Sequence, residues 1–232
     1  MSQITTITFF KIKGVSNKFW GLAQMGLGLK KIERTPGLLL SKMMGSGDGN
    51  GFSLRPDFST YALIAIWESQ ENASLFFSHH KFISDYKKRA KTINTFFLRT
   101  HKVHGLWDGE QPFELNGKFD EDKPIVVLTR ARIRKRKLMQ FWKSVPSVSK
   151  SMEGAAGLQF SKGIGELPLI FQATVSEWSS RERMVDFAYR NPRHAEVIKK
   201  TRQLKWYAEE LFAEFELIEK VVHHSARESK PT

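Results

Sequence analysis

A chain of 232 residues, 41% hydrophobic and 26% charged, is long enough to bury one large core or two small ones, and it matches neither a disordered nor a fibrous protein. The absence of cysteine excludes disulfides, thiolate metal sites and a thiolate-ligated haem, so a metal would have to be held by His, carboxylate, Tyr or Met. A formal net charge of +13 favours anionic partners: nucleic acid, anionic lipid, an acidic protein or the carboxylates of a cofactor.

The N-terminal MSQITTITFF lacks a basic region followed by a long apolar run, and no stretch nears the roughly 18 to 20 apolar residues that span a bilayer. A cytoplasmic protein is expected, with peripheral contact at a membrane left open. ITFFKI reads as the first strand and 16–33 as a helix that is apolar nearly all round and ends in cations. Core burial is the default for such a helix. A membrane-facing mouth with Phe19, Trp20, Leu22 and Met25 near lipid and Lys30, Lys31 and Arg34 at headgroups is the alternative. Strands GLLLSKMM and TYALIAIW follow, then a helix over about 71–97 and the strand THKVHGLW. Beyond a linker rich in Gly, Pro and acids, IVVLTRARI, a helix over 135–152, GLQFSKGI, LIFQATVSEW, a helix over 181–212 and EFELIEKVV repeat the order. Ser16, Ser69 and Ser179 are the expected N-cap region residues.

The repetition extends to individual residues. Phe19-Trp20 recurs as Phe141-Trp142, Ser41-Lys42 and Gly45 as Ser161-Lys162 and Gly165, and Trp67 and Phe76 as Trp178 and Phe187. The fold class is therefore α+β, a tandem repeat of two ferredoxin-like βαββαβ units over 1–108 and 124–222, with a linker at 109–123 and a flexible tail at 223–232. A sheet with helices on one face needs cover on the other, and two such sheets can supply it mutually, enclosing a ligand. Eighteen Phe and six Trp fit either core packing or an apolar cavity. The run Arg130, Arg132, Arg134, Lys135, Arg136 and Lys137 matches no nucleic-acid module, so no specific nucleic-acid partner is expected. A solvated basic edge is the first reading and a docking patch for an acidic redox partner or a membrane the second.

Of seven histidines, His79 and His80, an adjacent pair at an expected helix break, and His223 and His224 are expected at the surface, and His101 and His104 on opposite faces of a strand. His194 opens the final helical segment on a stripe with Val197, Ile198, Thr201, Ala208 and Leu211, which faces it toward the sheet. Spacing alone favours a core histidine satisfied by a backbone carbonyl.

The motifs Arg34-Thr35-Pro36, Gly45-Ser46-Gly47 with Gly51-Phe52 and Arg55-Pro56, Gly163-Ile164-Gly165-Glu166, and His194-Ala195-Glu196 carry a resemblance. With the stretches TRARIRKRKLMQFWKSVP and HAEVIKKTRQLKWYAEELFAEF, they make most of Ile7 to Phe215 similar to the spheroidene monooxygenase family of carotenoid oxygenases. The resemblance implies a dimeric α+β barrel-like fold and a haem enzyme. Its expected partners are dioxygen, electrons from ferredoxin or another reductant, and an acyclic carotenoid oxidised near its ψ-end, hydroxyl first and then keto. It makes His194 the expected iron ligand, Arg34, Gly45 and Gly165 the expected cofactor contacts, and Lys42 and Arg55 the expected catalytic cations. Readings that compete are another haem protein of this superfamily (a carrier, a haem-degrading enzyme or an aldoxime dehydratase-like lyase) and a non-catalytic module for an apolar ligand. A homo-oligomer is compatible with each.

Overall fold

The computed structural model describes residues 2–49, 53, 55–116, 119–121, 123–152, 154–167, 169–190, 199–201 and 203–225. In chain order the elements are β1 (Ile4–Ile12), α1 (Val15–Ile32), β2 (Leu38–Gly47), β3 (Pro56–Trp67), α2 (Gln70–His79), α3 (Lys81–Lys87) and β4 (Ala90–Gly105). They continue with β5 (Ile125–Ile133), α4 (Leu138–Ser151), β6 (Leu158–Leu167), β7 (Phe171–Trp178), α5 (Arg181–Val185) and β8 (Tyr207–His224). A π-helical turn over Asp186–Arg190 extends α5. Two compact units result, one of Met1–Gly45, Phe58–Arg99 and Ile218–Thr232, the other of Ser46–Asp57 and Thr100–Leu217.

In the first unit β1 lies between β3 and β4, all antiparallel, with β2 beside β3. In the second, β5 lies between β7 and β8, with β6 beside β7. This is the ferredoxin-like order twice over, and the α+β, dimeric α+β barrel-like class expected from sequence holds. The registers coincide as well: Ile4 faces Trp67 as Ile125 faces Trp178. The pairing of the first strand with the last slips at Lys11/Ile12 in one half and at Arg132/Ile133 in the other. Phe19-Trp20 lies on α1 and Phe141-Trp142 on α4, the first helix of each half.

The first unit packs its helices on the sheet through Phe10, Tyr61, Leu63, Trp67, Ile93 and Phe97 from the strands and Ile32, Phe76, Phe82 and Tyr86 from α1, α2 and α3. Phe10 stacks on Tyr86 with centroids 3.8 Å apart, and Trp67 Nε1 donates to Thr6 Oγ1 at 2.9 Å. Close approach of α1 depends on Gly21, where a Cβ would stand 2.6 Å from the Tyr61 ring. The apolar packing described for the second unit gathers instead at two ends. Ile133, Phe141, Trp142, Val145 and Trp206 form one cluster; Ile125, Val127, Trp178 and Met184 form the other.

Several sequence expectations give way. Residues 90–97 and 207–212, read as the ends of long helices, are strand. The break at His79-His80 is present, because His80 ends α2 and caps α3, its Nδ1 accepting from the Phe82 N–H at 3.1 Å. The caps of α2 and α5 are Ser69 and Ser180, and Gly14 rather than Ser16 precedes α1. His223 and His224 close β8.

Candidate active site

The site follows from setting the two helix-facing sheet surfaces row against row. In the first unit one row across the sheet reads Phe10, Tyr61, Ile93; the matching row of the second reads Ala131, Gln172, Glu210. The next rows are Thr8, Leu63, Thr95 against Thr129, Thr174, Phe212, and Thr6, Ala65, Phe97 against Val127, Ser176, Glu214. Large apolar groups have become small or polar ones in the middle of the second face. Thr8, Leu63 and Thr95 are buried, whereas Thr129, Thr174 and Phe212 stay half-buried. Small groups and a few polar side chains in the middle of a helix-facing surface are features of a ligand site, and here Ala131, Gln172, Ser176 and Glu214 among them are buried.

Of its two carboxylates Glu210 is exposed and Glu214 is buried, and Glu214 Oε2 accepts from Arg181 Nε at 2.8 Å. The hydrogen bond to Glu214 raises the Arg181 pKa against the opposing effect of burial. Ser180 places Arg181 at the start of α5 by accepting from the Arg183 N–H. Phe212 lies 6.0 Å from His104, edge to face, and His101 stacks on Phe119 at 4.0 Å. A cleft of about 340 Å³ nearby is lined by Arg134, Thr201, Lys205, Tyr207, Ala208, Glu209 and Glu210, and burial pushes the Tyr207 phenol up to about 12.

The other face of the same sheet carries Arg130, which the sequence reading placed in a solvated basic edge. It is 1% exposed. Arg134, Lys135 and Arg136 are exposed, so that reading holds for them and fails for Arg130. Nη1 donates to Glu209 at 2.6 Å, Nη2 to Asp108 at 2.8 Å and Nε to Glu166 at 3.2 Å. The guanidinium lies over Trp107, whose Nε1 donates to the same Glu166 oxygen at 3.1 Å. Burial alone would raise the Glu209 pKa, but the bonds from Arg130 and from the Asp108 and Gly109 N–H groups outweigh it and hold the carboxyl below its ordinary range. Alternation in the strand gave no signal: Arg130 shares its side of IVVLTRARI with Val126, Leu128 and Arg132, while the uncharged side is Ile125, Val127, Thr129, Ala131 and Ile133. Two motif segments, TRARI and Gly165-Glu166, thus meet in one ion-pair network.

His194, with Ala195 and Glu196, lies outside the described residues, as do Gly51 and Phe52. Arg34 is exposed in the turn after α1; Lys42, half-buried, and Gly45 lie on β2, and a Cβ at Gly45 would meet nothing within 4 Å. Arg55 is exposed, its carbonyl accepting from the Asp48 N–H. Gly165 is needed for strand packing, since a Cβ there would stand 2.6 Å from the Phe171 carbonyl oxygen. Lys162, the repeat equivalent of Lys42, is half-buried and donates to Asp57 at 3.4 Å and to the Gly49 carbonyl at 3.2 Å.

No family model matches the chain. It is 31% identical over 217 residues to the spheroidene monooxygenase of Rhodobacter capsulatus, covering 93% of this chain and 90% of the relative. The spheroidene monooxygenase of Cereibacter sphaeroides is 30% identical over 93% of this chain and 67% of its own length. Among solved structures, an aldoxime dehydratase superposes with a TM-score of 0.65 over 95% of this chain and 83% of its own, at 9% identity, a likeness of fold alone. The chain belongs to the spheroidene monooxygenase family and is an oxidoreductase.

Proposed function

We propose that the protein is a haem-dependent monooxygenase that inserts oxygen into an acyclic carotenoid near its ψ-end, hydroxyl first and then keto, using dioxygen and reduced ferredoxin or an equivalent donor. The observation that carries this reading is the likeness to spheroidene monooxygenases along 93% of the chain. Spheroidene is an acyclic carotenoid, which makes the substrate a long apolar polyene.

A flat macrocycle needs a surface cleared of bulky side chains, and the second helix-facing sheet surface fits: Ala131 stands where the other half has Phe10, and Thr174 where it has Leu63. Bound there, haem would supply dioxygen activation. The chain's own residues do the rest. His194 is proposed as the iron ligand on the family motif, and Phe212 offers an apolar wall. The pair of Arg181 and Glu214 fixes α5 to the sheet beside the cleared rows. Lys42 and Arg55 as catalytic cations, and Arg34, Gly45 and Gly165 on the cofactor, rest on the family motifs alone.

Haem titration of the purified protein should produce a Soret band, and expression in a carotenoid-producing host should yield pigments heavier by one oxygen or converted to ketones. His194→Ala should remove both signals with an unchanged circular dichroism spectrum, and His224→Ala neither. A His194→Ala protein with a native haem spectrum and full turnover would reassign the ligand to His101 or His104. Apolar-ligand binding without any Soret band would make the protein a non-catalytic module.

A further inference from the structure

Helix α1 carries a second apolar arc, turned away from the core. Its buried positions are Gly21, Gln24, Gly28 and Ile32, and Trp20, Met25 and Leu29 pack against the core, yet four further bulky apolar residues face outward: Val15 is 72% exposed, Phe19 70%, Leu27 55% and Leu22 45%. At about 100° per residue, Leu22, Val15, Phe19, Ala23 and Leu27 fall within one arc of roughly 140°. The counterpart of Phe19 in the second half, Phe141, is 4% exposed and packed edge-on against Trp206. The first half has therefore turned outward a residue type that the second half buries.

The charge around this arc has one sign. Across its 18 residues α1 contains no Asp or Glu; Lys18, Lys30 and Lys31 lie on or beside the apolar arc, and Glu33 is the first acid after it. From α3, which packs on α1, Lys87 and Lys88 are exposed and the Arg89 guanidinium sits 4.5 Å over the Trp20 ring. Asp85, the acid on that helix, is paired with Lys81. Among the described residues no helix is long and apolar enough to cross a membrane. An apolar strip rimmed by lysines is the pattern of a helix that lies in the headgroup boundary of an anionic bilayer.

We propose that α1 docks the protein on anionic phospholipid, with Val15, Phe19, Leu22 and Leu27 entering the acyl boundary and Lys18, Lys30 and Lys31 meeting the phosphates. This surface goes beyond the haem and carotenoid reading and does not depend on it.

The test is co-sedimentation of the whole chain with carotenoid-free vesicles of phosphatidylglycerol and phosphatidylcholine, and with phosphatidylcholine alone. Binding to the anionic vesicles should exceed binding to the neutral ones at least tenfold and fall as salt rises. The variant Phe19→Ser/Leu22→Ser/Leu27→Ser should lose at least tenfold, as should Lys30→Glu/Lys31→Glu. Met139→Ser, which removes an exposed apolar group from α4, should change nothing. Circular dichroism and sedimentation velocity without lipid accompany each variant. Equal binding by wild type and triple variant overturns the proposal. So does a wild-type dimer that the triple variant dissolves while neither binds vesicles, which would make the arc a contact with a second copy.

Discussion

Under the helices of the first half lie Phe10, Tyr61, Leu63 and Phe97; at the same register in the second half lie Ala131, Gln172, Thr174 and Glu214. One backbone plan thus supports two opposite uses of its interior. A filled aromatic layer gives a half that holds itself together, since each buried ring removes 150 to 250 Å² from water. A layer of small and polar groups forgoes that stabilisation, even though Ala131, Gln172 and Glu214 are buried as well.

The sharpest way to break this contrast is to exchange the central residues. Phe10→Ala should lower stability by about 3–5 kcal/mol in urea unfolding, because Phe10 is fully buried and stacked on Tyr86. The mirror change, Ala131→Phe, should cost less than about 1 kcal/mol and abolish the haem Soret band; a loss of the ~1–3 kcal/mol typical of overpacking would show that no space exists there.

The opposite sheet faces give a second comparison, since Phe9 and Arg130 hold the same register position. Arg130→Ala leaves Glu209, Glu166 and Asp108 without their cation and should cost about 3 kcal/mol, the low end for a broken buried pair because Asp108 is 47% exposed. Phe9→Leu should cost less than about 1.5 kcal/mol. Equal losses at the two positions, again by urea midpoint, would mean that the ion-pair network is no more than packing.

A smaller difference separates the repeat glycines. Gly165→Ala should destabilise by about 1–3 kcal/mol, since its Cβ collides with a carbonyl oxygen, while Gly45→Ala should stay within about 0.5 kcal/mol. If Gly45→Ala instead changes haem uptake without changing stability, backbone at Gly45 approaches the cofactor.

The smallest expected effect is in pH dependence, and the halves differ in its window. Burial lowers the His80 pKa, so the contribution of its cap to α3 is complete above its ordinary value of 6.5 and declines as pH falls below it. Glu209 is also lowered, so the Arg130 network contributes fully above the ordinary carboxyl value of 4.5 and is lost as pH falls through the folded one. Hydrogen exchange should show α3 loosening first on acidification and the 108–110 turn later. The reverse order would refute both assignments.

Most of this plan could be read before any coordinates. The repeat, six of the eight strands and the His80 break were legible because alternation and recurring aromatic pairs mark them. β4 and β8 were misread in part for a physical reason. Ile93, Phe96, Phe97 and Leu98 are buried on both faces of a sheet and so show no alternation, while Ala208 and Leu211 continue at helical spacing from His194 and Thr201. The cleared face was legible only by aligning the halves, because Ala131 or Thr174 alone is an ordinary strand residue. Arg130 was hidden by its basic neighbours: composition groups it with Arg134 and Lys135, and parity does not separate it from Arg132 or Arg134, so only its partners Glu209, Asp108 and Glu166 set it apart.

The slip in strand pairing at Lys11/Ile12 and at Arg132/Ile133 also dates events in the history of the chain. An irregularity at the same offset in both halves is inherited from the single unit that duplicated. The exchange of Phe for Ala two positions before the slip is present in one half alone. The register shift is therefore the shared feature and the filled or cleared interior the feature that diverged, so a reconstructed single unit should keep the shift and have only one of the two interiors.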